Sequence, residues 1–441
     1  MIPRRFRHFA SSVLAGGAAF ACLSFHAPAH AAGFYIQEQS TRGAGRAFSG
    51  EVADIGPESL WWNPASIAET PAQLYGSASG IFPHCDVNDR GSTLTFPGAP
   101  PTTVPITGDP HASCPILEAP LGGMGFAAPV NDRFAVGLSL ASPFDLVTKY
   151  PETSFARYQA IKSRLDTADI QLTGAVKALP SLDLGAGVDA IYTSARLNNA
   201  IPNLSPLLPD GFSSLTGDAW NFGWNIGAQI HTSDRWRIGL SYRSQVKRKI
   251  QGGEAFVGGL LGPVAAGNTD THADASFTTP WIATFGGRFN VTDPLTLNVQ
   301  VQRFGWSEFK QINVVGPGVS TVLPQNYNDT TSVAFGFDYA MVPKIMTLRA
   351  GAQWDPTPTP DVGRTLRVPD SDRWLVSAGA EMTFSQHLTV EGAIEYVDFQ
   401  GSRVNSTANF FAGTPAETVA DYSADVTANA VVISGGARWR F

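Results

Sequence analysis

The stretch that decides the fold is the last, VVISGGARWRF, residues 431–441. Stepping by two along an extended chain, Val431, Ile433, Gly435, Ala437, Trp439 and Phe441 project from one face, and Ser434, Gly436, Arg438 and Arg440 from the other. In water, a strand of this kind would leave Trp439 and Phe441 wet at a chain end, where backbones fray. The pattern therefore asks for an apolar surrounding.

Inward from the end, the same alternation recurs. WNFGWNIGAQIHT, residues 220–232, sets Trp220, Phe222, Trp224, Ile226, Ala228 and Ile230 against Asn221, Gly223, Asn225, Gly227, Gln229 and His231. LTLNVQVQ, residues 295–302, sets Leu295, Leu297, Val299 and Val301 against Thr296, Asn298, Gln300 and Gln302. A period of two with one greasy and one polar face reads as a strand. Such runs cover approximately 72–84, 120–130, 133–143, 164–178, 181–197, 218–232, 235–251, 274–291, 294–313, 327–343, 345–355, 371–385, 388–403 and 424–441. They make an even fourteen. Short connections at Asn131-Asp132, Leu179-Pro180, Ser233-Asp234, Thr292-Asp293, Pro343 and Gln386-His387 alternate with long loops. Tight turns at one end, long loops at the other and an apolar outside are the pattern of a transmembrane antiparallel β-barrel of the Gram-negative outer membrane. A closed barrel leaves no sheet edge for lipid to meet. Composition agrees: apolar residues are 43% of the 441 and charged residues 15%, below the roughly 25% of soluble domains.

The first residues carry Arg4, Arg5 and Arg7, an apolar run, and Ala29-His30-Ala31 as a small-x-small cleavage site, so residues 1–31 are expected to be a signal peptide. Its removal takes away three arginines and no acid, moving the net charge from −7 to −10. That balance argues against a nucleic-acid partner. Cys85 and Cys114 remain, in an oxidising compartment, where a loop disulfide is one outcome. Neither they nor the scattered histidines show metal-ligand spacing, and no GxSxG nucleophile motif occurs. No cofactor and no catalytic residue are expected. Residues 32–71 do not alternate and precede a barrel spanning 72–441. Within them Asn63 before Pro64 reads as a helix N-cap with proline in the first turn, giving a short helix over Ala65–Glu69. Either this is a capped periplasmic tail or it folds into the lumen, and adjacent Trp61 and Trp62, which a tail would leave wet, favour the second.

At this point the chain resembles the FadL family of outer-membrane transporters for long-chain fatty acids and other hydrophobic compounds. AGFYIQEQSTRGAGRAFSGEVAD followed by Asn63-Pro64-Ala65 is similar to the family's N-terminal hatch, and RYQAIKSRLDTADIQL, LSYRSQVK, TPWIATFGGRFNVTDPLTL, WSEFKQ and VPDSDRWLVSAGAEMTF follow in the family's order. The resemblance implies a fourteen-stranded barrel gated by a hatch, cargo diffusing through it, and an inward kink in the third strand that lets cargo leave sideways into the membrane. Ser142, Pro143 and Phe144 stand at the place of that kink, and proline in a strand marks an irregularity on its own account. Outer-membrane lipid, lipopolysaccharide and the barrel-assembly machinery are the partners implied, with a monomer as the working unit.

Two loops are unusually greasy for a cell surface: 198–217, with Leu207, Leu208 and Phe212, and 252–273, with Leu260 and Leu261. Exposed apolar clusters mark interaction sites, so these residues are candidates for first contact with cargo. The competing reading is a structural cap in which the loops pack on each other. A fatty acid also needs a cation for its carboxylate, ideally an arginine. Arg157, Arg364 and Arg373 are placed for it, although each has an equal claim to pairing with a neighbouring acid such as Asp361, Asp370 or Asp372. A general porin, with an open lumen, and an outer-membrane hydrolase, with a Ser and His on the wall, are the alternatives.

Overall fold

The computed structural model describes residues 33–113 and 120–441; the expected signal peptide and Cys114 lie outside the described residues. Barrel strands begin with Gln73–Asp89 (β1), Met124–Pro129 (β2) and Phe134–Ala141 continued by Leu146–Lys149 (β3). Three long strands follow, Lys162–Leu179 (β4), Leu182–Ile201 (β5) and Gly211–Ser233 (β6). The next four are each broken in two: Trp236–Arg243 with Val246–Gly258 (β7), Thr269–Thr279 with Ile282–Thr292 (β8), Leu295–Phe304 with Gln311–Gly316 (β9), and Val319–Pro324 with Thr330–Val342 (β10). Met346–Asp355 (β11), Arg373–Thr383 (β12), Leu388–Phe410 (β13) and Thr418–Arg440 (β14) complete the set.

Each strand pairs antiparallel with its sequence neighbours, and β14 pairs with β1 from Arg440 opposite Gln73 to Ala424 opposite Asp89, closing the barrel. The closing face answers the sequence: Phe441 donates its N–H to Ala72 O at 3.0 Å, and its ring meets Phe126 edge-on. Apolar side chains at every second position point outward, among them Leu172, Val188, Phe222 and Phe335, with Phe222 76% exposed. Polar partners such as Gln171, Asn225, Gln300 and Gln302 are buried in the lumen. No helix among the described residues is long and apolar enough to cross a membrane, so the crossing is made by strands.

All six tight turns fall where the alternation puts them. The loop boundaries differ. The ladders of β5 with β6 and of β7 with β8 run on past the greasy band, so the two loops shrink to 202–210 and 259–268, and Phe212 lies in β6. Backbone hydrogen bonding continues into the solvent, where the hydrophobic alternation that reveals a strand has stopped.

Candidate functional site

The segment before β1 lies inside the barrel. Its turns are short: Thr41–Ala44, Glu51–Ala53, Pro57–Ser59 and Pro64–Ile67, the last capped by Asn63, whose Oδ1 accepts from Ala65 N at 2.9 Å. Room for its backbone comes from glycines on the luminal face of the wall. A methyl at Gly227 would stand 2.0 Å from Asn63 Oδ1, at Gly239 2.0 Å from Val52 O, and at Gly351 2.2 Å from Arg46 O. These positions look like ordinary small residues in the sequence; only the fold shows that they seat a second chain segment.

Charge holds the segment in place. Arg46 bonds Asp338 of β10 at 3.0 Å and Asp54 at 2.6 Å, Arg42 bonds Glu58 at 2.9 Å, and Arg438 of β14 pairs with Glu58 from the other side. Burial acts to raise the Asp54 carboxyl, but the guanidiniums of Arg288, Arg42 and Arg46 hold it well below the usual carboxylate range. Buried charges persist only when paired this fully. Trp61 lies under the Arg243 guanidinium, 3.6 Å from it, and gives its indole N–H to Tyr35 OH at 3.0 Å.

Beside the segment's first residues, β3 breaks. Over 142–145 its chain leaves β2 and pairs with the luminal segment instead: Ile36 N donates to Pro143 O at 2.9 Å, Asp145 N to Phe34 O at 3.1 Å, and Ser142 N to Gln39 Oε1 at 3.0 Å. Phe144 bridges Tyr35 and stacks edge-on against Phe34, with ring centres 6.0 Å apart. Phe34 in turn packs on Trp306 at 4.9 Å and Phe309 at 5.2 Å.

Phe34 also lines an apolar cavity walled by Leu146, Leu165, Leu197, Ile250 and Phe277. Two cations reach this wall, Arg164 and Arg367. Arg164 Nε bonds Asp166 at 2.6 Å, and its buried Nη2 has no partner. Arg367 gives Nη1 to Ser163 Oγ at 2.8 Å and Nη2 to Gln159 O, and makes no ion pair among the described residues. Burial pushes its guanidinium down to about 10. The arrangement is a greasy chamber with an unneutralised guanidinium at its edge.

The arginines singled out by sequence sit elsewhere. Arg157 pairs with Asp210 at 2.8 Å, Arg364 with Asp361 at 3.1 Å, and Arg373 Nε bonds Asp355 at 3.0 Å; none lines the cavity. Local spacing could not have chosen among them, because an acid stands three residues from Arg364 and from Arg367 alike, and Asp370 proves to accept from Gly33 N at 2.7 Å. Leu260 is buried with Ile201 and Val264 where the two greasy loops meet, stitched by Leu261 N to Asn203 Oδ1 at 2.8 Å. Leu207, Leu208 and Leu261 remain exposed, Leu207 at 92%, and Phe212 is half-buried. Asn63 and Pro64 lie against Gly185 and Gly227 of β5 and β6, whereas it is Phe34 to Gln39 that meet 142–145. Phe34, Arg164, Trp306 and Phe309 stand inside the stretches that carry the family resemblance, but nothing in those stretches marks them as cavity residues, and Arg367 stands in none of them. Glu69, Asp183 and His231 gather at the turn end, where Arg237 pairs with Glu69 and approaches Asp183 at 3.5 Å, supplying the positive charge locally.

Comparison with known proteins adds the following. Residues 21–441 match the family described as outer membrane protein transport protein (OMPP1/FadL/TodX). The long-chain fatty acid transport protein of Escherichia coli O6:H1 is 29% identical over 416 residues, covering 86% of this chain and 89% of its own. Among solved structures, a Pseudomonas aeruginosa FadL homologue superposes with a TM-score of 0.80 at 22% identity, covering 93% of this chain and 100% of its own. The Ralstonia pickettii toluene transporter TbuX gives 0.64 at 18%, covering 92% and 98%.

Proposed function

We propose, from the premise that this chain belongs to the outer membrane transport family OMPP1/FadL/TodX and is a transporter rather than an enzyme, that it takes up long-chain fatty acids or similar hydrophobic molecules bearing an acid head. The observation that carries this reading is Arg367, a cation without an acid partner among the described residues, at the wall of an apolar cavity. An alkyl chain gains by leaving water for such a chamber at roughly 0.8 kcal/mol per methylene. A carboxylate at the same place would supply the charge-assisted bonds that the guanidinium lacks.

In this reading cargo first meets Leu207, Leu208, Leu260, Leu261 and Phe212 on the extracellular loops and passes to the cavity. Its tail presses on Phe34, and the luminal segment acts as a hatch. Because Phe34 touches both the cavity and Phe144, displacing it loosens the pairing at 142–145 and frees the side of the barrel there. Cargo shifts the hatch only by as much as it prefers the shifted state. Asn63, Pro64 and Ala65 hold the far side of the hatch to the wall. Outer-membrane lipid and lipopolysaccharide would cover the outward belt, the assembly machinery would read the terminal strand, and a single barrel would suffice.

Native mass spectrometry of the protein purified in mild detergent tests the cargo. A co-purifying mass of a C14–C18 fatty acid, displaced by added oleate, is the expected result. A neutral hydrocarbon that oleate does not displace would contradict the reading.

A further inference from the structure

Between β6 and β7 the ladder stops at Thr216 opposite Glu254 and resumes only at Asn225 opposite Arg243. Over that gap β7 keeps its register with β8, from Val246 opposite Thr279 to Ile250 opposite Ala275, and β6 keeps its register with β5. The sheets on both sides are intact, and the seam between them is not. What spans it is slight: Lys249 N to Asn221 Oδ1 at 2.9 Å, and at the lower end Ser244 N to Trp224 O at 2.9 Å with Trp224 N to Ser244 Oγ at 3.0 Å. Unpaired backbone in a barrel wall is costly, so an interruption there asks for a use.

Two glycines face each other across the upper end of the seam. A methyl on Gly217 would stand 2.5 Å from Ile250 Cγ2 and 3.1 Å from Gly253 Cα, so Ile250 is the side chain that closes the gap, against the backbone of Gly253. Gly252, at φ 67°, makes the bulge that shifts the register there. On the luminal side Gly217, Ile250 and Gly253 line the apolar cavity. On the other side Gly217 and Gly253 line a second, polar cavity of about 520 Å3, together with Lys162, Arg164, Arg196 and Asp218. Those four side chains share the strand faces of exposed Leu172, Val188 and Trp220, so this cavity is on the outside of the barrel. Trp220, Trp224, Tyr242 and Trp281, which contact one another or Tyr192 around the lower seam, are aromatic residues of the kind that gather at the membrane–water interface. The seam therefore stands at headgroup depth.

We propose that this seam is a second side portal, closed by Ile250, through which an anionic amphiphile lying in the outer leaflet passes its alkyl tail between Gly217 and Gly253 into the apolar cavity while its head rests among Lys162, Arg164 and Arg196. It rests on the cavity being the cargo site. The tail needs no polar partner where the wall offers only glycine. The head, by contrast, stays in a polar cavity until the tail is seated.

The test uses proteoliposomes and a pyrene-labelled hexadecanoic acid, presented either within the bilayer or from the aqueous side on albumin. Ile250→Ala should speed loading from the bilayer at least three-fold, and Ile250→Trp, which fills the seam without cysteines, should slow it as much. Gly217→Cys with Gly253→Cys in the Ile250→Ala background should load slowly when oxidised and quickly when reduced. The ratio of bilayer to albumin loading, in which any change these residues make to the cavity itself cancels, should rise at least three-fold with Ile250→Ala and fall at least three-fold with Ile250→Trp and on oxidation. Bilayer loading that none of these variants alters, or equal slowing from both donors, would overturn the portal. Failure of the native protein to load from albumin would instead overturn the cargo reading beneath it.

Discussion

Ile36 and Pro143 are joined through their backbones, N–H to O at 2.9 Å, so the luminal segment is the strand partner of the kinked end of β3. The pairing of β2 with β3 ends at Met124 opposite Leu140, and above it the wall is completed from inside. In the proposed transport, moving the segment removes a piece of the wall, so that gate and side exit are one event.

Tyr35 and Phe144 form the bridge at that place. A Tyr35→Cys, Phe144→Cys pair should cross-link on oxidation and lower uptake of labelled oleate by at least ten-fold in cells, with reductant restoring it. Uptake by the oxidised protein equal to that of the reduced would remove the gate from the mechanism.

The glycine seats give a second prediction. Gly351→Val puts a side chain where Arg46 O lies and Gly227→Val where Asn63 lies, so each should dislodge the segment while leaving the outward belt untouched. Heat-modifiable folding should persist, and single-channel conductance in planar bilayers should rise from near zero to open-pore steps. Silent channels with a fully folded barrel would show that the segment tolerates the intrusion.

Much of this architecture was legible because a membrane barrel writes its period into the chain: Trp220 to Ile230 and Leu295 to Val301 alternate where lipid forces them to. The lumen obeys no such period. Gly227 and Gly351 are indistinguishable in sequence from any small strand residue, and Arg367 looks like Arg364 until the chain is folded. Likewise Phe34 lies in the non-alternating start, where nothing local announces that it meets Phe144. The seam at Gly217 and Gly253 was equally silent, since a strand's own pattern says nothing of whether its neighbour is bonded to it.

Asn63 supplies three bonds, from its Nδ2 to Val52 O at 2.7 Å and to Ala228 O at 3.0 Å, and through Oδ1 from Ala65 N. Losing the cap alone costs about 1 kcal/mol, and two carbonyls lose a donor besides. Asn63→Ala should raise the rate of proteolysis within 33–71 by roughly ten-fold with no change in barrel melting. Unaltered proteolysis would mean that the charged network holds the segment unaided.

Asp370 couples an extracellular loop to the segment through Gly33, and burial raises its carboxyl to about 6, with Arg373 opposing. A raised carboxyl favours the protonated form in the fold, so the stability it adds is full below about 4 and lost as pH rises through about 6. The native protein should melt at a lower temperature at pH 7 than at pH 4.5, and Asp370→Asn should flatten that slope. An unchanged slope would place the titration elsewhere.

The central claim, an acid head at Arg367 and a tail in the apolar cavity, is tested most directly by comparing two ligands of equal tail in one titration experiment. Arg367→Gln should weaken binding of hexadecanoic acid by about ten-fold or more, as expected for loss of a charge-assisted bond of ~1.5–3 kcal/mol, and leave hexadecanol within two-fold of the native protein. Equal affinity for hexadecanoic acid in the native and Arg367→Gln proteins, or equal losses for the acid and the alcohol, would contradict it.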